Sequence, residues 1–86
     1  MKIIFHNHFE KQILKLKLGE RRRLRERLKI FLINPFDARL NNHALKGKYT
    51  DYRSINIGGD LRAVYKRMGE NECVFTEIGT HSELYS

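Results

Sequence analysis

Tyr52-Arg53-Ser54-Ile55-Asn56-Ile57-Gly58-Gly59-Asp60-Leu61-Arg62-Ala63-Val64-Tyr65-Lys66 is the stretch that decides the fold. Arg53, Ile55 and Ile57 alternate with Tyr52, Ser54 and Asn56, the period of a strand with two unlike faces. Gly58-Gly59 is a hairpin-turn signal. Leu61 to Lys66 alternates again, Met68-Gly69-Glu70-Asn71 makes a second turn, and Glu72 to Ile78 supplies another strand. The three strands form an antiparallel meander.

Working back toward the N-terminus, the period changes. Leu24, Leu28, Phe31 and Leu32 stand at i, i+4, i+7 and i+8, one apolar stripe of a helix from about Glu20 to Ile33. Asn34-Pro35 ends it, because proline pushes the residue before it out of the helical region. A shorter helix precedes it, with Phe9, Ile13 and Leu16 at helical spacing. Asn7 offers its N-cap, with Glu10 at capping-box distance, and Gly19 separates the two helices into a hairpin. Lys2-Ile3-Ile4-Phe5 reads as a first strand. Residues 35–51 carry no periodicity and read as a loop, and the segment after Ile78 as a tail with room for one helical turn. The order is β-α-α-β-β-β, an α+β fold in which the helical hairpin covers one face of an antiparallel sheet. The other face, bordered by the loop and the tail, is left for function.

Bulk properties narrow the function. The chain of 86 residues suits a single domain spanning 1–86, with one modest core. No apolar run approaches the roughly 18–20 residues needed to cross a bilayer. The N-terminus lacks the apolar stretch of a signal peptide, so a cytoplasmic, non-membrane protein is expected. The single cysteine, Cys73, agrees with a reducing compartment and reads as strand filling. The formal net charge is +7. All of the excess lies in residues 1–34, which hold ten Lys/Arg against three Asp/Glu, whereas residues 35–86 hold seven of each. Such a footprint attracts polyanions, nucleic acid foremost, and acidic protein partners.

Chemistry points to RNA. A ribose 2′-hydroxyl attacks its own phosphodiester when one group accepts its proton, another protonates the leaving 5′-oxygen and a cation stabilises the phosphate. His43, Asp60, Arg62 and His81 are the right types for these roles. Tyr85 is suited to stacking on a base, and Lys46, Lys48 and Arg53 to holding phosphates. No metal-ligand spacing, Gly-rich phosphate loop or Cys/His nucleophile pair is present, so no metal or other cofactor is expected.

His43-Ala44-Leu45-Lys46-Gly47-Lys48-Tyr49-Thr50-Asp51-Tyr52-Arg53, then Gly59-Asp60-Leu61-Arg62-Ala63-Val64-Tyr65-Lys66, then Gly79-Thr80-His81-Ser82-Glu83-Leu84-Tyr85, resemble in that order the YafQ branch of the RelE/ParE toxin superfamily. The resemblance implies a RelE/ParE-like fold. It implies the toxin of a type II toxin–antitoxin system, a ribosome-dependent mRNA endonuclease restrained by a cognate antitoxin. Its partners are then the antitoxin, the ribosome and mRNA. By resemblance His43, Asp60 and His81 fall on catalytic positions, Tyr85 on a terminal aromatic, and Arg62 on the phosphate-supporting arginine of RelE-type members. Asn56 stands where YafQ-like proteins carry a further histidine; it can hydrogen-bond or position RNA but cannot titrate. Leu61 stands where they carry tryptophan. Two other functions fit the same fold: a ParE-like gyrase inhibitor, and a catalytically weak module binding RNA or antitoxin.

Overall fold

The computed structural model describes residues 1–85. Five strands form one sheet in the order β1-β5-β4-β3-β2. They are β1 (Lys2–Phe5), β2 (His43–Ala44), β3 (Tyr52–Gly58), β4 (Leu61–Arg67) and β5 (Glu72–Thr80). The meander β3-β4-β5 is antiparallel, as the alternation predicts. β1 closes one edge by pairing parallel with β5, from Lys2 opposite Glu72 to Phe5 opposite Phe75. Two helices, α1 (Asn7–Leu14) and α2 (Leu18–Ile33), lie on one sheet face, α1 against β5 and α2 against β3. A third, α3 (His81–Tyr85), packs back on β5.

The core fills the space between helices and sheet. Phe9 of α1 and Leu24 and Phe31 of α2 meet Ile55, Ile57, Ala63, Tyr65 and Phe75 of the sheet, all buried. The Phe75 ring is the hub, with centroids of Phe31 at 5.3 Å, Tyr65 at 5.1 Å and Phe9 at 5.7 Å. Cys73 is buried beside them, and burial pushes its thiol pKa up. Leu32 departs from the expected stripe: it is half exposed, and Ile30 packs on the core instead.

Three local expectations are corrected. The α1 cap is His6, not Asn7: the His6 Nδ1 accepts from the His8 N–H at 3.0 Å, and Asn7 is already helical. The break between helices falls at residues 15–17 rather than at Gly19, which sits in the first turn of α2. There the extended Lys17 donates its N–H to the Glu20 carboxylate at 2.8 Å, and Arg21 donates to the Leu14 carbonyl at 2.7 Å. A side-chain acceptor three residues on defines the helix start more strongly than one glycine opposes it. Residues 35–51 are not merely loop. They contain 3-10 turns at Ala38–Leu40 and Gly47–Tyr49, and β2 between them. A two-residue strand has no period to read.

Candidate functional site

The period of two sorts the sheet residues between the faces. In β3, Arg53, Ile55 and Ile57 face the helices; Ser54 and Asn56 face away. In β4, Leu61, Ala63 and Tyr65 face the helices, and Arg62 faces away. Across the edge, β2 sets His43 opposite Ser54. At the other end, Gly79 is opposite Arg62, and α3 begins at His81.

These placements enclose a cleft of about 190 Å³ on the face away from α1 and α2. His43, Lys46, Arg62, His81 and Tyr85 line it, with Leu45, Tyr49 and Ser54 completing the wall. Five of the nine residues singled out from sequence therefore meet.

The His43 Nδ1 lies 2.8 Å from the Asn41 carbonyl oxygen. A carbonyl only accepts, so Nδ1 carries the hydrogen and the neutral ring leaves Nε2 open as a base. Asn41 reaches this position through a left-handed backbone, φ 45°. Arg62 is half-buried and braced by one nitrogen: Nη1 donates to Asn56 Oδ1 at 3.0 Å and to the Gly59 carbonyl at 3.1 Å. The His81 ring rests against Tyr85, centroids 4.9 Å apart, and Tyr85 meets Tyr49 edge-on at 6.0 Å. The Tyr49 hydroxyl donates to Glu77 at 3.2 Å and lies 3.3 Å from the Leu84 carbonyl, tying the segment bearing Lys46 to β5 and α3. Desolvation, then the Glu77 carboxylate, push the Tyr49 pKa up.

α3 is fixed by a reciprocal cap. Thr80 donates its N–H to Glu83 Oε1 at 2.7 Å, and the Glu83 N–H donates to Thr80 Oγ1 at 3.2 Å. Gly79 admits this fold-back, since a Cβ there would lie 3.1 Å from Glu83 Oε1 and 3.3 Å from its Cβ. The Thr80 hydrogen bonds hold the Glu83 carboxyl below its ordinary 4.5. A lowered folded-state pKa adds stability that is complete above the unfolded value and is lost as pH falls through the folded one. The anchoring of His81 and Tyr85 is thus expected to weaken below about pH 4.5. In a carboxyl titration by NMR, Glu83 should titrate below that value. Thr80→Ala should cost about 1 kcal/mol in urea unfolding, the usual worth of a cap. A Glu83 midpoint at 4.5 with no loss in Thr80→Ala would contradict the cap.

Four expected site residues stand elsewhere. Arg53 faces the helices: its Nε donates to Asn42 Oδ1 at 2.7 Å and its guanidinium lies 5.2 Å over the Phe36 ring. Asn42 in turn donates to Tyr65 Oη and to the Pro35 carbonyl, so Arg53 is committed to holding the loop. Lys48 is exposed and outside the lining, its ammonium 5.3 Å from the centre of the Tyr49 ring. Asp60 is exposed in the turn before β4, and among the described residues no hydrogen bond joins it to either histidine. Asn56 is outside the lining and serves Arg62 and the turn, its Oδ1 also accepting from the Gly58 N–H at 3.0 Å. Leu61 is buried in the core and takes no part in lining the cleft.

Tyr49 and Ser54 also line the cleft, and no sequence motif assigns either of them to it. Ser54 is fully buried, and its Oγ has no hydrogen-bond partner among the described residues; the same holds for Tyr85 Oη. An unpaired buried hydroxyl costs about 1–3 kcal/mol. Only the alternation around Ser54 hinted that it shares a face with Arg62. Among the described residues no three His, Cys, Asp or Glu side chains group as metal ligands.

The α+β fold, a five-stranded sheet with helices, matches that of RelE/ParE-like toxins. A toxin from Agrobacterium tumefaciens described as YoeB/ParE superposes with TM-score 0.79 at 18% identity, over 94% of this chain and 99% of that one. A copper-bound mutant toxin from Helicobacter pylori is 27% identical, TM-score 0.73, over 99% of both chains. YafQ in the E. coli DinJ–YafQ complex is 24% identical, TM-score 0.73, over 99% of this chain and 98% of that one. No curated protein matches at a significant level. The profile of the bacterial toxin of type II toxin–antitoxin system, YafQ, matches residues 1–86. The chain belongs to that family.

Proposed function

We propose that this toxin cuts mRNA on the ribosome. The observation that carries the reading is the cleft: two histidines, an arginine and a lysine converge on one small cavity of the free sheet face. The family supports a nuclease, since its toxins are generally endoribonucleases.

In the proposed reaction the 2′-hydroxyl attacks the adjacent phosphorus. His43 Nε2 takes the hydroxyl proton. The P–O5′ bond breaks, and His81, protonated, gives its proton to the leaving 5′-oxygen. The products are a 2′,3′-cyclic phosphate and a 5′-hydroxyl. Arg62 stabilises the charge on the phosphate as it grows, a role that suits a guanidinium already held in place. Lys46 holds a neighbouring phosphate, and Tyr85 packs against a base. Assigning the base to His43 rests on its bond to the Asn41 carbonyl, which leaves Nε2 free.

The partners follow from charge. α2 carries Arg21, Arg22, Arg23, Arg25, Arg27 and Lys29, a surface suited to ribosomal RNA phosphates and to an acidic antitoxin segment. The toxin works in the cytoplasm, where ribosomes are. No helix among the described residues is long and apolar enough to cross a membrane.

Mapping mRNA 5′ ends after brief expression tests the reading. New ends at a fixed position within codons are expected. A DNA-damage response without new ends would support a gyrase inhibitor on this fold instead. Neither response would leave a binding module.

A further inference from the structure

Among the described residues Ser54 is the one fully buried polar side chain of the sheet, and it lines the cationic cleft. Its Oγ has no hydrogen-bond partner among the described residues. Its strand neighbour across the sheet edge is His43, and its face also carries Arg62. A hydroxyl both donates and accepts. An unpaired one at the wall of a cavity lined by His43, Lys46, Arg62 and His81 is matched by an anionic ligand rather than by the protein.

We propose that the Ser54 hydroxyl is a substrate contact that donates to a non-bridging oxygen of the phosphate being cut. This rests on the nuclease reading above. RNA carries its own nucleophile, so Ser54 forms no covalent bond and moves no proton between molecules. It adds a neutral donor to the charge supplied by Arg62. The hydroxyl is set on the central sheet, so it is positioned before RNA arrives, as a donor for a developing charge must be.

The proposal makes two opposed expectations for Ser54→Ala. The free protein should melt no lower than the parent, because the substitution removes a buried donor that nothing in the protein pairs. Cleavage of mRNA on programmed ribosomes should slow by about 10- to 100-fold, the range for a hydrogen bond to a charged acceptor. A stereospecific sulfur substitution gives a readout that packing alone would not move. With phosphorothioate at the cut position, the parent should be slowed more by one diastereomer, because sulfur accepts a hydrogen bond poorly. Ser54→Ala should lose most of that difference, and Ser54→Thr, which keeps the hydroxyl, should retain it. Three results overturn the proposal while leaving the nuclease reading intact: parental cleavage by Ser54→Ala, an undiminished diastereomer difference, or a clear fall in its melting temperature. If the parent itself cuts no RNA, the nuclease reading fails and the proposal fails with it.

Discussion

Arg62→Ala is expected to lower the single-turnover rate of mRNA cleavage on programmed ribosomes by about 10²–10³-fold, the cost of removing one preorganised donor from a developing oxyanion. His81→Ala, which removes the proposed acid, should cost about 10²–10⁴-fold. The Arg62 effect follows from its surroundings. Its Nη1 is held by the Asn56 side chain and the Gly59 carbonyl, so the charge needs little reorganisation during the reaction. Arg62→Lys should recover little, because a single ammonium cannot both keep these anchors and present a planar fork to phosphate. Asp60→Ala, in an exposed turn residue outside the lining, should fall far less than either. Equal losses for Asp60→Ala and Arg62→Ala would mean that the catalytic groups gather elsewhere.

Phe75→Ala is expected to lower folding stability by about 3–5 kcal/mol. A chain of this length is held by roughly 4–13 kcal/mol in total, at 0.05–0.15 kcal/mol per residue. One substitution would therefore remove about a quarter of it or more. Phe75 is fully buried and touches rings from β1, α1, α2 and β4, so no single element can shift to fill the space it leaves. Urea unfolding should show the midpoint falling with little change in slope. Ile33→Ala, 88% exposed at the end of α2, should stay within about 0.5 kcal/mol of the parent. Matching midpoints for the two variants would contradict the assigned core.

The sheet was legible because alternation from Tyr52 onward reports both the strands and their faces. The same alternation, followed strictly, separates Arg53 from Arg62; only the charge of Arg53 suggests an RNA contact. What decides its role is Asn42, a loop residue with bonds to Arg53, Tyr65 and Pro35 that no local pattern encodes. β2 was illegible because two residues cannot express a period, yet it is what brings His43 to the sheet. The His6 cap and the Lys17–Glu20 start were hidden by residue types that seldom cap through the expected side chain. Ser54 stood in plain view within the alternation. Its interest comes from burial without a partner, which is a property of the folded protein alone.

The central claim is best tested with purified protein and ribosomes programmed with one defined mRNA, reading the chemistry of the ends. The account predicts a cut at one position in the codon exposed in the A site, leaving a 2′,3′-cyclic phosphate and a 5′-hydroxyl, and its loss in Arg62→Ala and His81→Ala. No cleavage by the parent, or undiminished cleavage by both variants, would contradict it.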